Sequence, residues 1–248
     1  MNKTVANTKS DSISPQENQA LQFVSMFVHD LEGPLVSLKS LLRLMERQTY
    51  DPQKPLHRQL VKSSRIALER AELLVYDLLT AARAGATDLQ VKFAGCNLQA
   101  AISESCQMAG PAAAENEIVI KQEAPPDEII VRADPALLSR VLDNLIYNAI
   151  RHTPPGGEIM VEAAAKGDVV EISVTDNGSG IHDIDPEELF TIYKQADFRA
   201  RGLHRGVGIG LYLCRLAVGK MGGEITAFNS KDRGACFRFT LKFGGSNE

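Results

Sequence analysis

The hydrophobic pattern of the chain changes after residue 20. Residues 1–20 are rich in Ser, Asn, Thr and Lys, which predicts a flexible tail or the trimmed end of a longer protein. Residues 21–45 instead carry apolar side chains at alternating steps of three and four, the spacing of a heptad seam on one long helix. The seam consists of Leu21, Val24, Val28, Leu31, Leu35, Leu38, Leu42 and Met45.

Residues 50–55, Y-D-P-Q-K-P, separate this seam from a second one, and together the two seams predict a helical hairpin over residues 21–86. The second seam consists of Leu60, Ser64, Ala67, Ala71, Leu74, Leu78 and Ala81. Two helices cannot fully bury two apolar stripes against each other, so we expect a homodimeric four-helix bundle to which a second copy contributes the other hairpin. The alternative is that the hairpin packs only on the second domain of its own chain.

Residues 87–248 alternate between helix and strand patterns, which predicts a helix layer on one face of a mixed sheet and an α+β class for the whole chain. Helices are predicted over residues 98–114, 134–152 and 210–221. Strands are predicted over residues 118–122, 129–132, 158–165, 168–175, 224–229 and 235–243. Residues 177–205 are predicted to form one long loop, and loops of that length are usually functional.

Composition argues against several classes of protein. The 27 Lys+Arg against 31 Asp+Glu give a net charge of -4, without the basic excess of a nucleic-acid binder. No apolar run approaches the roughly 18 residues of a membrane helix, and the first residues lack the apolar core of a signal peptide, so we expect a soluble protein. The cysteines have no C-x-x-C spacing and fit a reducing cytoplasm better than a zinc site or a disulfide scaffold. They are Cys96, Cys106, Cys214 and Cys236.

Polar residues recur on one face of the helix predicted over residues 134–152. Asn144, Asn148 and Arg151 are spaced by three and four, beside an apolar stripe. Asn is unfavourable within a helix, so this face suggests an oxygen ligand for Mg²⁺ and a positive charge for phosphate oxygens. An ordinary solvated helix face is the alternative.

Two glycine-containing segments add the features of a nucleotide site. Asp176 follows a predicted strand and is placed to accept the amino hydrogen of adenine, while Gly178 and Gly180 allow the backbone to approach the ring. The glycines at 206, 208 and 210 lead into a predicted helix, whose N-terminus favours phosphates. The alternatives are an ordinary turn and a hinge, but the combination with the asparagine face predicts ATP.

His29 lies one position off the first seam, so its ring should project from the flank of the bundle. A neutral imidazole is a nucleophile near neutral pH, and Asp30 could orient the ring or accept its proton. Pro34 removes the hydrogen bond to the carbonyl of Asp30, which should kink or loosen the helix. An exposed histidine without a catalytic role is the alternative.

Five motifs, in this order, resemble the transmitter core of the sensor histidine kinases of two-component systems. The phosphoacceptor box is H-D-L-E-G-P-L from His29, and the asparagine box is L-D-N-L-I-Y-N-A-I-R-H-T from Leu142. The adenine, lid and glycine boxes are D-N-G-S-G-I from Asp176, E-L-F-T-I-Y-K from Glu188 and G-V-G-I-G-L from Gly206.

The resemblance implies a dimerisation and histidine-phosphotransfer hairpin over residues 21–86 and a catalytic ATP-binding α/β sandwich over residues 87–248. It also implies ATP-dependent phosphorylation of His29, followed by transfer to an aspartate of a response-regulator receiver domain. By the same match Asn148 would hold Mg²⁺ with support from Asn144, Arg151 would meet phosphates, and Asp176 would bind adenine. The other nucleotide contacts that it implies are His152, Gly178, Gly180, Gly206, Gly208, Gly210 and Leu211.

Three positions depart from the family pattern. Gly33 stands where members with phosphatase activity usually have Thr or Asn, so we predict weak or absent phosphatase activity. Glu32 replaces a common Arg, and Ala235 lacks the hydroxyl of a common Thr beside adenine. These departures motivate two alternatives, an impaired kinase-like scaffold and a phosphotransferase that uses only the hairpin. The sequence does not indicate the signal that is sensed or the identity of the regulator.

Overall fold

The computed structural model describes residues 15–86, 91–123, 128–182, 184–191, 209–230 and 234–244. The chain divides into two compact units, Met1–Leu74 and Val75–Glu248. None of the described helices combines the length and the apolar character needed to cross a membrane.

Two long helices form most of the first unit and confirm the predicted hairpin. Helix α1 spans Pro15–Glu46 and helix α2 spans Pro55–Ala86. The start of α1 corrects the predicted tail, because Pro15–Ala20 are already helical; proline is favoured in the first turn, where its missing N–H costs nothing. The helical assignment of α1 continues through Pro34, so a kink there stays a prediction.

Small residues of α2 face α1. Ser64, Ala67 and Ala71 are buried, and the hydroxyl of Ser64 donates to the carbonyl oxygen of Ser37 at 3.1 Å. At the turn between the helices, the backbone N–H of Asp51 donates to Nδ1 of His57 at 2.9 Å. These three members of the second seam therefore pack the two helices of one chain together.

Larger apolar side chains on the same helices remain exposed in the single chain. Val28, Leu35 and Leu42 of α1 recur every seven residues and are 52%, 55% and 57% exposed. On α2, Val61 and Leu68 have the same spacing and are 39% and 44% exposed. The described part of the first seam thus alternates between these exposed positions and the half-buried Leu31 and Leu38.

The second unit contains a five-stranded sheet in the order β2-β4-β5-β7-β6. Strands β2 and β4 are parallel and the other neighbours are antiparallel, which confirms the predicted mixed sheet. Its strands are Val119–Glu123, Glu158–Lys166, Val169–Asp176, Ile225–Asn229 and Ala235–Lys242 for β2, β4, β5, β6 and β7.

A second, two-stranded sheet pairs β1, Ala94–Asn97, with β3, Ile130–Ala133. The sequence did not predict β1, because A-G-C-N has neither alternation nor β-branched residues and is held as a strand by its partner. An isolated bridge between Val131 and Phe243 links the two sheets.

Three helices cover one face of the larger sheet: α3 at Leu98–Glu115, α4 at Pro135–His152 and α5 at Ile209–Lys220. Their apolar faces and the facing strand residues form one core. Its largest fully buried side chains include Phe239, Leu142, Leu145, Ile146 and Ile172. The core therefore fixes α4 rigidly against the middle of the sheet.

A short 3₁₀ helix, Pro186–Phe190, corrects the prediction of one continuous loop over residues 177–205. Asp185 caps this helix by accepting a hydrogen bond from the backbone N–H of Glu187 at 3.0 Å, and Pro186 occupies its first turn. An acidic cap followed by proline is a local start signal, so the sequence contained the information needed to predict it.

Candidate functional site

Helix α4 carries the predicted asparagine face. Its start is set by Asp134, whose Oδ1 accepts hydrogen bonds from the backbone N–H groups of Ala136 and Leu137 at 3.0 and 3.3 Å. With its apolar face in the core, the helix leaves Asn144 and Asn148 half-buried and Arg151 exposed. The three polar residues thus lie at the edge of the core, where a ligand can reach them.

The start of α5 meets this asparagine face. A Cβ atom on Gly210 would lie 3.1 Å from Oδ1 of Asn144, so the glycine lets the two helices approach closely. Nδ2 of Asn144 is buried and finds no hydrogen-bond partner among the described residues. A buried amide without a partner is unfavourable, so this position calls for a hydrogen-bond acceptor. Leu211 follows Gly210 and is buried.

Asp176 ends β5 and is only 3% exposed. Its Oδ1 accepts hydrogen bonds from the backbone N–H of Gly178 at 2.9 Å and from that of Ala235 at 3.3 Å. Burial raises the pKa of this carboxyl, and the backbone hydrogen bonds lower it only in part. A buried acceptor of this kind suits a ligand that brings its own hydrogen-bond donor.

The glycines after Asp176 bring three parts of the second unit together. A Cβ atom on Gly178 would overlap the carbonyl oxygen of His152, the last residue of α4. Gly180 has a φ of +79°, and a Cβ atom there would lie 2.8 Å from Oδ1 of Asn229. Both glycines are therefore required by contacts within the protein, in addition to any approach of a ring.

Asn177 secures the same turn from the other side. Its Oδ1 accepts a hydrogen bond from the backbone N–H of Glu158 at 2.9 Å, which ties the end of β5 to the start of β4. Because β4 follows the C-terminal end of α4, this bond also helps to hold that end near Gly178. His152 is half-buried there and reaches the turn through its backbone carbonyl.

Aromatic and charged contacts fix the 3₁₀ helix against α5 and the sheet. The ring of Phe190 meets that of Phe237 edge-on at a centroid distance of 6.4 Å. The guanidinium of Arg215 lies 5.6 Å from the centroid of Phe190 and forms an ion pair with Glu187 at 2.7 Å. Sequence reasoning missed this cluster, although the spacing of E-L-F after a capping Asp offered a partial signal.

The structure brings part of the predicted site together. Within the second unit, Asn144 meets Gly210, His152 meets Gly178, and Asp176 lies between Gly178 and Ala235. The predicted residues Gly206 and Gly208 lie outside the described residues. His29 and Asp30 belong to the described backbone of α1 in the first unit, but their side chains are outside the description.

Both units match known families. Residues 19–87 match the His Kinase A (phospho-acceptor) domain, and residues 133–245 match the histidine kinase-, DNA gyrase B- and HSP90-like ATPase family. The chain is 30% identical over 220 residues to the adaptive-response sensory kinase SasA of Synechococcus sp. (strain JA-2-3B'a(2-13)), covering 88% of this chain and 58% of that relative.

Solved structures show the same fold. Full-length ShkA in complex with AMPPNP has a TM-score of 0.64 and 23% identity, covering 95% of this chain and 47% of that one. Histidine kinase ThkA in complex with response regulator protein TrrA has a TM-score of 0.61 and 20% identity, covering 92% of this chain and 64% of that one.

The chain spans only part of its curated relatives. It covers 58% of the Synechococcus SasA and 26% of the sensor protein KdpD of Escherichia coli, to which it is 30% identical over 242 residues.

Proposed function

The chain belongs to the sensor histidine kinases, and on that premise we propose that it phosphorylates His29 with ATP and passes the phosphoryl group to a response regulator. Membership follows from the phospho-acceptor and ATPase domains, found in that order along the chain. The single observation that carries the proposal is the buried carboxylate of Asp176, whose Oδ1 is fixed by two backbone donors.

Asp176 supplies the recognition of adenine. Gly178 and Ala235 both donate to Oδ1, so Oδ2 is the oxygen that we assign to the exocyclic amino group of the base. A base with a carbonyl at that position, such as guanine, would bring an acceptor against a carboxylate and be rejected. Asp176 therefore acts as a binding residue for ATP.

Asn148 is the residue that we propose as the Mg²⁺ ligand. Its amide oxygen is a ligand type suited to this ion, and when bound Mg²⁺ supplies charge neutralisation for the phosphates. The buried Nδ2 of Asn144, without a partner among the described residues, is a hydrogen-bond donor and fits a phosphate oxygen at this position. Arg151 contributes positive charge to the phosphates, and Gly210 and Leu211 supply the N-terminus of α5.

His29 is the proposed nucleophile and acts as the catalytic residue. A ring nitrogen of the neutral imidazole attacks the γ-phosphorus, the bond from that phosphorus to the bridging oxygen breaks, and ADP leaves with the electron pair. Asp30 orients the ring or takes the proton that the imidazole loses. Transfer then moves the phosphoryl group from the nitrogen to a carboxylate oxygen of the receiver aspartate and regenerates His29.

The test is incubation of the full chain with Mg²⁺ and γ-labelled ATP. We expect label on the protein that is stable in base and lost in acid, because a phosphorus–nitrogen bond hydrolyses in acid. Addition of a purified receiver domain should move the label onto it. Binding of ATP without any label would favour the impaired scaffold instead.

The second copy of the chain is the proposed partner of the exposed heptad positions. Val28, Leu35 and Leu42 on α1 and Val61 and Leu68 on α2 are exposed in the single chain, although they are apolar and regularly spaced. A symmetric four-helix bundle would cover them all.

Replacing Leu42 with Glu should separate the dimer. In the proposed dimer, each copy would lose a Leu that is buried at the interface and gain a charge there. The dissociation constant of the dimer should therefore rise at least about a hundredfold. Sedimentation equilibrium measures this, and Gln59→Glu, which adds the same charge at an exposed position of α2, should remain dimeric. A wild type that is monomeric, or an L42E variant that stays dimeric, would contradict the assignment.

The receiver of a response regulator is the proposed second partner. Because Gly33 lacks the polar side chain that would position the attacking water, we propose weak or absent phosphatase activity toward the phosphorylated receiver. The location that we propose is the cytoplasm, and the four buried, free cysteines support it.

Replacing Gly33 with Thr should raise phosphatase activity by about tenfold or more, because its hydroxyl can orient water beside the phosphoaspartate. Apart from its chain neighbours and the backbone of its own helix, no described heavy atom lies within 4 Å of the position of a Cβ atom at Gly33, so we expect the helix to accommodate the side chain. Release of phosphate from a labelled receiver is the measurement. Gly33→Ala is the matched control, since it also adds a Cβ atom and restricts the backbone but brings no hydroxyl. Equal phosphatase rates for the two variants would contradict the proposed role of the hydroxyl.

A further inference from the structure

The last residue pair of the β6–β7 ladder, Asn229 and Ala235, lies beside the end of β5. The backbone N–H of Ala235 donates to Asp176, as described above. The other member of the pair, Asn229, reaches Ile181. One residue pair therefore holds both ends of the segment 176–181, which contains the adenine-recognition turn.

The contact of Asn229 with Ile181 uses both ends of its side-chain amide. Oδ1 accepts a hydrogen bond from the backbone N–H of Ile181 at 2.6 Å, and Nδ2 donates to the carbonyl oxygen of the same residue at 2.9 Å. A side chain that satisfies the donor and the acceptor of one residue takes the place of a neighbouring strand. The backbone at Ile181 is thus fixed in position and in orientation.

Two glycines, Gly180 and Gly234, permit the close contact between the β6–β7 hairpin and segment 176–181. We call the paired hydrogen bonds between Asn229 and Ile181 the clamp. At Gly180, φ is +79° and a Cβ atom would lie only 2.8 Å from Oδ1 of Asn229. At Gly234, φ is +85° and a Cβ atom would overlap the carbonyl oxygen of Asp176. Side chains at these two positions would push the hairpin away from the segment. The close approach therefore depends on a glycine in the segment and on another directly before β7.

We propose that Asn229 is a positioning residue of the nucleotide site, whose amide holds segment 176–181 in the conformation that binds adenine. The inference rests on the proposed ATP site and deepens it. Asn229 acts through Ile181 and not on the nucleotide itself. Without the clamp, the segment spends part of its time in other conformations, and apparent affinity falls in proportion to the competent fraction.

This role predicts a specific kinetic pattern. Loss of two solvent-exposed hydrogen bonds should raise the Kd for ADP and the KM for ATP by about fivefold. At saturating ATP the bound nucleotide selects the ordered segment, so kcat should stay within about twofold of wild type. A residue that acted on the chemical step would show the opposite pattern.

The experiment uses the full chain, with ADP binding measured by calorimetry and the rate of labelling measured across ATP concentrations. Asn229→Ala removes both hydrogen bonds. Asn229→Asp keeps an acceptor for the N–H of Ile181 but sets a second oxygen against its carbonyl, so it should weaken binding more than N229A. Asn229→Ser, with a shorter polar side chain, should fall between N229A and wild type and serves as the second variant if N229A does not fold.

Asn97→Ala is the matched control. Asn97 also makes two side-chain hydrogen bonds, from the N–H of Ala100 at 2.9 Å and to Glu128 at 2.6 Å, but it caps α3 and does not touch segment 176–181. Its loss should lower the melting temperature without a change in Kd or KM. An equal loss of affinity in N97A would assign the effect to general stability and overturn the inference.

The remaining outcomes separate the inference from the proposed function. Wild type that binds ADP, together with N229A and N229D that bind it equally well, would overturn the role of Asn229 and leave the ATP site intact. A fall in kcat with an unchanged KM would also overturn it. Failure of the wild type to bind either nucleotide would overturn the proposed function, and the inference with it.

Discussion

Replacing His29 with Ala should abolish labelling of the protein by γ-labelled ATP. The imidazole is the nucleophile that we propose, so without it the rate should fall at least about a thousandfold. ADP binding should be unchanged, because the residues that we propose for the nucleotide site belong to the second unit. Acid-labile label after incubation with Mg²⁺ and ATP is the measurement.

His57→Ala is the control for this prediction. His57 also lies in the first unit, where Nδ1 accepts a hydrogen bond from Asp51 and the ring stacks on Tyr50 at a centroid distance of 5.9 Å. Its replacement should cost some stability and leave labelling in place. Label that persists in H29A would identify another acceptor and refute the proposed mechanism.

Replacing Asp176 with Asn should nearly eliminate nucleotide binding. The amide oxygen can still accept from Gly178 and Ala235, but the NH₂ group then faces the amino group of adenine, and two donors oppose each other. Loss of a charge-assisted hydrogen bond and the unpaired donors together should raise the Kd for ADP about a hundredfold or more. Calorimetry with ADP measures the change.

The same variant should alter the dependence of stability on pH. Burial raises the pKa of the Asp176 carboxyl above its ordinary value, so between the unfolded and folded pKa values the folded state binds more protons than the unfolded state. The free energy of unfolding of wild type, relative to D176N, should therefore fall as pH rises through this window. Below the ordinary pKa of Asp both states are protonated and the penalty is absent.

Denaturant unfolding at several pH values measures this difference. Asp168→Asn is the control, because it removes a carboxylate from an exposed position at the turn between β4 and β5. This control should bind ADP like wild type and lack the pH-dependent difference. A D176N variant that binds ADP normally would remove Asp176 from the site and with it the main support for an ATP-dependent function.

Much of the fold was predictable because its signals are local. Helix α4 has an acidic cap at Asp134, Pro135 in its first turn and an apolar stripe of period 3.6, and the structure places it over Pro135–His152, against a predicted 134–152. Strands β4 and β5 alternate clearly and were found within a residue at each end. The start of α1 and strand β1 were missed, because neither carries a hydrophobic pattern of its own.

The polar residues of the candidate site were predictable from the sequence, but the residues that hold them in position were not. Asn144 was noticed because asparagine is unfavourable within a helix. Asp176 and Gly178 were noticed because a carboxylate and a glycine directly follow an apolar strand. Asn229 was not noticed, because an Asn at the end of a strand is ordinary, and Ala235 was noticed only for the hydroxyl that it lacks, not for its backbone N–H. Their importance comes from contacts with Ile181 and Asp176, which are 48 and 59 residues away in sequence.

The sequence by itself determined the periodicity of the helices and strands and the residue types of the candidate site, because propensity, capping and hydrophobic spacing act over a few neighbouring residues. Only the tertiary structure decided which seam positions stay exposed for a partner and how the β6–β7 hairpin holds the segment after Asp176. Those features depend on backbone groups that meet across the fold, and a contact between distant residues leaves no local pattern in a single sequence.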